Sequence, residues 1–285
     1  MIPANFDYVR AESVDHAIQL LQESDGEGKL IAGGHSLLPL MKFRLTEPGT
    51  LIDISRISEL KSVKKEGDRV VVGAMVTHRD AANDPVIKEY IPSLASAAGQ
   101  IGDMQVRNRG TVGGNIAHAD PAADLPAPAI VLDAQITIQG EDGEETMDLD
   151  SFILGPLITM MPENSVVTKV SFAIPPSHTK QTYLKYFHPA SGYPVVGVAA
   201  VAGTDEDGKI DYIRVGITGA GDKVFRATSV EEALMGQVPS ESVIDSASGL
   251  AADDGDMGSD LFASEEYREQ LCRVYTARAL KSVLL

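Results

Sequence analysis

Cysteine is nearly absent from this 285-residue sequence, which contains only Cys272. A single thiol cannot form a disulfide within the chain, and it cannot supply the four thiolates that an iron–sulfur cluster normally requires. Zinc sites built from several cysteines are excluded for the same reason. We therefore expect any metal chemistry to occur on a partner chain, and we assign Cys272 a packing role.

Basic residues are also scarce. The sequence has 24 lysines and arginines against 41 aspartates and glutamates, which gives a net charge of −17. The basic residues form no cluster of the kind that binds nucleic acid, so we expect no nucleic-acid partner. Long apolar runs such as Val195–Ala202 are far shorter than the roughly 20 residues of a transmembrane helix. The N-terminus has no signal-peptide pattern. We expect a cytoplasmic protein with no transmembrane segment.

What the sequence does contain is an alternation of short strands and helices. In the first half, Ser13 is a suitable N-cap for a helix at Val14–Gln22. Pro175 and Pro176 then interrupt the pattern. Three strand-like runs follow them, at Gln181–Phe187, Val195–Val201 and Tyr212–Thr218, and the chain ends in helices. The sequence therefore predicts two domains, covering residues 1–176 and 177–285.

Two pairs of glycines give the strongest chemical signal. The first lies in Ala32–Ser36 (AGGHS), after a predicted strand, and the second in Thr111–Asn115 (TVGGN). Glycine permits positive φ and a close backbone approach, so consecutive N–H groups can form an anion site beside a helix N-terminus. The second pair lies within Asp103–Asp124, which lacks helical or strand periodicity, as functional loops often do. Two such sites suit the two phosphates of a dinucleotide, and two unrelated tight turns are the alternative.

Other nucleotide-binding patterns are missing. No G-x-G-x-x-G opens a βαβ unit, and no G-x-x-x-x-G-K-[ST] is present, which disfavours a Rossmann site and a P-loop NTPase. Gly216–Gly221 (GITGAG) follows a late strand, so we assign it a structural role. No Ser/His/Asp arrangement supports hydrolase chemistry.

The two glycine motifs, with Gln105–Gly110 (QVRNRG) and Asp120–Asp124 (DPAAD), resemble the FAD-binding medium subunits of the molybdenum hydroxylase family. This family includes xanthine dehydrogenase and aerobic carbon monoxide dehydrogenase, and the resemblance covers essentially the whole chain. Most members resemble AGGQS in the first motif, so His35 favours the carbon monoxide dehydrogenase branch. The implied fold is a vanillyl-alcohol-oxidase (PCMH) type FAD domain of two α+β subdomains, plus a C-terminal domain with a small antiparallel sheet and helices.

The resemblance also implies which residues bind the cofactor. The backbones of the two glycine motifs would hold the FAD pyrophosphate, Asp124 would accept hydrogen bonds from ribityl hydroxyls, and Tyr193 would approach the isoalloxazine ring. The full implied set is Ala32, Gly33, Gly34, His35, Ser36, Leu37, Ile101, Gly102, Val106, Gly110, Thr111, Gly113, Gly114, Asn115, Asp124, Lys185 and Tyr193, of which Ile101, Gly102 and Val106 would line the cofactor channel. The match departs after Lys185, because the Arg and Asp found there in many relatives are missing.

The resemblance implies an electron-transfer subunit of an oxidoreductase. FAD would bind non-covalently, a large partner subunit would hold the molybdenum cofactor, and a small partner subunit would hold [2Fe-2S] clusters, in a dimer of heterotrimers. Carbon monoxide and water would be converted to carbon dioxide on the large subunit, and electrons would pass through FAD to a quinone or another acceptor. The complex would be cytoplasmic or associated with the inner face of the membrane.

Three alternatives stay open. The chain would have the same role in a xanthine, aldehyde or N-heterocycle dehydrogenase, because nothing in it would contact that substrate. It would instead be a stand-alone flavin oxidase if FAD were linked covalently through His35. The third alternative is a non-catalytic nucleotide-binding or assembly protein, which would hold no flavin.

Overall fold

A small parallel sheet begins the fold. The computed structural model describes residues 2–285, and its first three strands pair in the order β1-β3-β2. In chain order the elements are β1 (Asp7–Arg10), α1 (Val14–Glu23), β2 (Gly28–Ile31), α2 (Leu37–Lys42) and β3 (Thr50–Asp53). The predicted cap of α1 is confirmed, since the Ser13 hydroxyl accepts from the His16 N–H at 3.1 Å. The first glycine motif occupies the loop between β2 and α2.

A second, antiparallel sheet follows in the strand order β4-β5-β10-β6-β7. After a 3₁₀ helix (Ser58–Lys61), the elements are β4 (Val63–Glu66), β5 (Arg69–Gly73), α3 (His78–Asn83), α4 (Pro85–Tyr90), α5 (Pro92–Gln100), α6 (Met104–Arg107), α7 (Val112–His118), α8 (Pro126–Val131), β6 (Gln135–Gly140), β7 (Gly143–Asp148), α9 (Leu149–Phe152), β8 (Ile153–Gly155), β9 (Ile158–Thr159) and β10 (Val166–Ala173). Strands β8 and β9 form a separate two-stranded hairpin.

The segment Asp103–Asp124 is more regular than its sequence suggests, because it contains α6 and α7. Each helix is capped by a side chain: Asp103 accepts from the Val106 N–H at 2.9 Å, and Thr111 accepts from the Gly114 N–H at 3.1 Å. These helices have four and seven residues. They are too short to show the helical period by which a helix is recognised in a sequence.

The C-terminal part consists of a third sheet and three helices. Its elements are β11 (Lys180–Phe187), β12 (Pro194–Thr204), β13 (Ile210–Thr218), β14 (Phe225–Arg226), α10 (Thr228–Leu234), α11 (Glu241–Ser248) and α12 (Glu265–Leu284). The four strands are antiparallel and pair in numerical order. The mixed architecture confirms the predicted α+β class.

The central strand β12 is buried on both faces. Val198 and Ala200 point into the core formed with α12, whereas Ala199 and Val201 belong to the core that contains α5 and α8. This explains the continuous apolar run in the sequence, which is typical of a strand covered on both sides. The third sheet therefore shares a core with α5 and α8, which precede it in the chain. The division of the chain into two domains between residues 176 and 177 stays a prediction.

Among residues 2–285, no helix combines the length and the apolar character that crossing a bilayer demands.

Candidate functional site

The two glycine motifs, at residues 32–36 and 111–115 of the chain, lie against each other in the fold. A Cβ atom built on Gly33 would lie 2.7 Å from the carbonyl carbon of Arg109 and 2.8 Å from Gly110 Cα. Side-chain carbon atoms do not approach backbone so closely, so only glycine allows this contact. A Cβ on Gly114 would lie 3.8 Å from Ala32 Cβ. The prediction that both motifs belong to one site therefore has a geometric basis.

The first motif has unpaired backbone donors. Gly34 has a φ of +75°, the left-handed conformation that glycine adopts without strain. Within residues 2–285, the N–H groups of Gly34, His35 and Ser36 have no protein acceptor. The Ser36 side chain makes no capping bond to α2, so its hydroxyl is also available. This loop has the consecutive free donors that an anion site requires.

The second motif differs from the expected nest. Gly113 and Gly114 are helical and lack positive φ, and the first N–H groups of α7 are already paired. The N–H of Val112 donates to Val76 O at 2.9 Å, that of Gly113 to Ala74 O at 2.9 Å, and that of Gly114 to Thr111 Oγ1 at 3.1 Å. These three N–H groups are therefore occupied within the chain, unlike those of the first motif.

Two buried polar atoms beside the second motif have no partner within the part of the chain that the structure describes. They are Asn115 Oδ1 and His78 Nδ1. A buried polar atom without a partner is costly and is often satisfied by a ligand or an ordered water. Asn115 belongs to the predicted site, whereas His78 was not anticipated from the sequence.

His78 packs directly beneath Gly110. A Cβ on Gly110 would lie 2.7 Å from His78 Cδ2, and the His78 backbone N–H donates to Gly110 O at 2.9 Å. Burial, reinforced by nearby His35 and Arg107, lowers the pKa of His78 to about 4. The ring is therefore neutral at pH 7. No motif surrounds this histidine in the sequence, so only the fold could place it at the site.

The predicted channel residues surround the short helix α6. Gly102 has a φ of +46°, and a Cβ built on it would lie 2.9 Å from Val106 Cβ. The Arg107 guanidinium donates to the carbonyls of Ile101 and Gly102, each at 2.9 Å. The exposed His35 has Nε2 at 3.1 Å from Gln105 O, which connects the first motif to α6.

Lys185 is the most connected side chain of the site. Its ammonium donates to Asp124 Oδ1 at 2.8 Å, to Gln100 O at 2.9 Å and to Gly192 O at 2.7 Å. Asp124 also accepts from the Tyr183 hydroxyl at 2.8 Å. Burial raises the pKa of Asp124, and Lys185 and Tyr183 act in the opposite direction. Sequence reasoning missed Tyr183 and Gln100, which carry no motif of their own.

Tyr193 follows this network in the chain and is 45% exposed. A Cβ built on Gly192 would lie 3.9 Å from Gly102 Cα, so the loop that precedes Tyr193 lies beside the predicted channel. Tyr193 therefore follows a loop that lies beside Gly102 of the predicted channel, and its contact with a cofactor ring stays a prediction.

The segment Gly216–Gly221 has contacts that suit the structural role assigned to it. Thr218 Oγ1 donates to Ala123 O at 2.8 Å, and the Gly219 N–H donates to Pro121 O at 2.9 Å. Gly219 has a φ of +80°. These contacts fix the loop that carries Asp124.

The residues present fit a nucleotide cofactor that carries an anionic group. They provide free N–H groups at the first motif, a glycine contact that keeps the two motifs together, and an unpaired amide oxygen at Asn115. Within the described residues no group of three His, Cys, Asp or Glu side chains could hold a metal ion.

Comparisons with known proteins identify the families to which the two parts of the chain are similar. Residues 4–176 match the family described as the FAD binding domain in molybdopterin dehydrogenase, and residues 182–283 match the CO dehydrogenase flavoprotein C-terminal domain. The chain is 34% identical to the carbon monoxide dehydrogenase medium chain of Hydrogenophaga pseudoflava, over 99% of this chain and 98% of that protein. It is 33% identical to the glyceraldehyde dehydrogenase medium chain of Sulfolobus acidocaldarius, over 99% and 100% respectively.

A solved structure shares the fold over the whole length. The carbon monoxide dehydrogenase of Hydrogenophaga pseudoflava that lacks the Mo-pyranopterin moiety superimposes with a TM-score of 0.93 at 36% identity, covering 99% of this chain and 98% of that chain. The predicted fold class is confirmed at the level of the family. The chain belongs to the family of FAD-binding domains of molybdopterin dehydrogenases, joined to a C-terminal domain of the CO dehydrogenase flavoprotein family.

Proposed function

We propose that this chain is the FAD-carrying subunit of a molybdenum hydroxylase and passes electrons from a partner's iron–sulfur clusters to an external acceptor. The observation that carries this proposal is the close contact between Gly33 of the first glycine motif and Arg109 and Gly110, the two residues directly before the second motif. FAD supplies the electron-carrying ring when it is bound. The chain's own residues place and shield that ring.

The geometry supports the following proposed binding roles. The free N–H groups of Gly34, His35 and Ser36 would receive the pyrophosphate, because consecutive backbone donors suit an anion. At the second motif, the side-chain amide of Asn115 would form a hydrogen bond with the cofactor, as donor or as acceptor. Tyr193 would cover one side of the ring and exclude water, since an aromatic side chain can stack on a planar group.

The remaining chemistry belongs to partner chains in this proposal. A large subunit would hold the molybdenum cofactor, and a small one would hold the [2Fe-2S] clusters, because one buried cysteine cannot provide a cluster site here. A dimer of heterotrimers in the cytoplasm, or at the inner membrane face, and a quinone acceptor complete the proposal.

We propose carbon monoxide as the substrate of the complex, on the basis of the AGGHS motif and the likeness to carbon monoxide dehydrogenase medium chains. A similar identity to a glyceraldehyde dehydrogenase medium chain keeps an aldehyde as the second candidate. The large subunit decides between them, since this chain holds the site for the electrons rather than for the substrate.

The test is a gentle affinity purification of the full chain from its source, followed by identification of every co-purifying protein. We expect one FAD per chain, a large molybdenum-cofactor protein and a small cysteine-rich protein, and electron transfer with carbon monoxide but not glyceraldehyde. A yellow protein without partners would contradict the subunit role. A colourless one would contradict FAD binding itself.

The same preparation tests the covalent alternative. The exposed His35 contacts Gln105 O through Nε2, so the ring is engaged with the protein. We expect acid precipitation to release all of the FAD into solution. Flavin that stays with the precipitated chain, and is lost in His35→Gln, would instead support a linkage through His35.

A further inference from the structure

The side chain of Lys185 lies at the centre of the candidate site and is only 5% exposed. An ammonium group has three N–H donors and no acceptor. The three protein acceptors, Asp124 Oδ1, Gln100 O and Gly192 O, lie between 2.7 and 2.9 Å away. Every donor of Lys185 is therefore used within the chain, and none is left for a ligand.

The three acceptors belong to three separate walls of the proposed flavin site. Gln100 ends α5 and immediately precedes Ile101, the first channel residue. Gly192 immediately precedes Tyr193. Asp124 lies on the loop between α7 and α8 and is itself 3% exposed. One ammonium thus connects all three walls.

We propose that Lys185, together with Tyr183, is a positioning residue that fixes these three walls relative to one another and does not itself bind the flavin. This inference rests on the proposed function, because it concerns the same site. It differs from the role that the resemblance implies, in which Lys185 contacts the cofactor.

Tyr183 completes the network from the same strand. It lies two residues before Lys185 on β11, so the two side chains extend from one face of the sheet. The Tyr183 hydroxyl donates to Asp124 Oδ1. Burial raises the pKa of Asp124, and Lys185 and Tyr183 both act to lower it. Gly197 on β12 leaves the space that the Tyr183 hydroxyl fills, since a Cβ there would collide with it.

Lys185 constrains Tyr193 through the backbone of the 188–193 loop. The Gly192 N–H donates to His188 O at 2.8 Å, and the His188 N–H donates to Tyr193 O at 2.7 Å. This closes the 188–193 loop on itself. Fixing Gly192 O by Lys185 therefore fixes the position from which the Tyr193 side chain extends.

The experiment compares Lys185→Met with Lys180→Met in the full-length chain. Lys180 begins the same strand and is exposed, so it controls for the loss of a lysine from β11. We expect Lys185→Met to raise the Kd for FAD about tenfold, the loss equivalent to one charge-assisted hydrogen bond. At saturating FAD the bound flavin should fluoresce more strongly, because Tyr193 no longer quenches it. Lys180→Met should match the wild type in both measurements.

Tyr193→Leu identifies how the lysine acts. If Lys185 works by placing Tyr193, the double variant should be no more fluorescent than Tyr193→Leu alone, since coupled residues are not additive. Fully additive increases would overturn the inference and return Lys185 to direct contact with the ring. An unchanged Kd and fluorescence in Lys185→Met would overturn it as well.

Tyr183→Phe keeps the inference testable if Lys185→Met does not fold, because it removes only a hydroxyl. It should give a smaller fluorescence increase in the same direction, and Lys185→Arg should recover part of the loss. No change in Tyr183→Phe would overturn the network. Wild-type chain that binds no FAD would overturn the proposed function too, whereas FAD-bound wild type with unaffected variants contradicts this inference alone.

Discussion

The two glycine motifs are similar in sequence but different in structure. In AGGHS, Gly34 has positive φ and the following N–H groups are free, whereas in TVGGN both glycines are helical and their N–H groups are paired within the chain. The first motif has the consecutive free donors that an anion site requires. The second is built to pack, with Gly113 against Ala74 and Gly114 near Ala32. A shared pattern of glycines therefore does not imply a shared physical role.

Gly33→Val tests the contact between the first motif and the residues directly before the second motif, and it should have the largest effect. Its Cβ would lie 2.7 Å from the Arg109 carbonyl carbon, so the loops must separate. We expect no FAD in the purified chain, measured by the flavin absorbance after acid release. Gly155→Val is the matched control, because a Cβ there meets nothing within 4 Å. Stoichiometric FAD in Gly33→Val would contradict the proposed arrangement, and circular dichroism shows whether the variant is folded.

The burial of His78 beside the second motif can be tested through the pH dependence of stability. Its folded-state pKa of about 4 lies below the ordinary 6.5, so neutral His78 is favoured in the folded chain. The neutral His78 ring therefore contributes to the free energy of unfolding above pH 6.5. This contribution, at most about 3 kcal/mol, is lost as the pH falls towards 4. In His78→Gln the free energy of unfolding should depend less on pH across this window. Urea unfolding of both chains at pH 7 and 4.5 measures the difference, and parallel curves would contradict it.

The local part of this picture could be predicted from the sequence. The cap at Ser13 was recognisable because the capping side chain and the N–H it accepts from are three residues apart. The pairing of the second motif could not be predicted, since its partners Ala74 and Val76 come from another segment.

The candidate site shows the same limit. Glycines at the two motifs were visible as a pattern, whereas Asp124 and Tyr183 are 59 residues apart and meet only in the folded chain. Tyr183 lies in a strand whose sequence shows only a plausible β pattern. Which loop side chain meets which strand side chain depends on packing that no local pattern encodes.

Gly113→Ala should sharpen the contrast between packing and binding. A Cβ here would lie 2.7 Å from Ala74 Cα, and overpacking of a tight contact costs about 1–3 kcal/mol. Gly99→Ala, in α5, is the control, because its Cβ would meet Ala82 at an ordinary 3.7 Å and alanine favours a helix. We expect thermal unfolding to be lowered in Gly113→Ala and unchanged or raised in Gly99→Ala. Equal melting temperatures would show that α7 moves away from β5 without cost.

Asn115→Ala has the smallest expected effect. It separates a packing role from a cofactor-binding role within the second motif. Asn115 Oδ1 is buried without a partner in the described residues, so removing it should leave the stability of the FAD-free chain unchanged or slightly raised. If the amide contacts the cofactor, the same change should raise the Kd for FAD about fivefold, equivalent to about 1 kcal/mol. Fluorescence titration and thermal unfolding of the same preparation measure both quantities. Loss of stability without loss of affinity would assign Asn115 to packing, and the second motif would then contribute only its shape to the site.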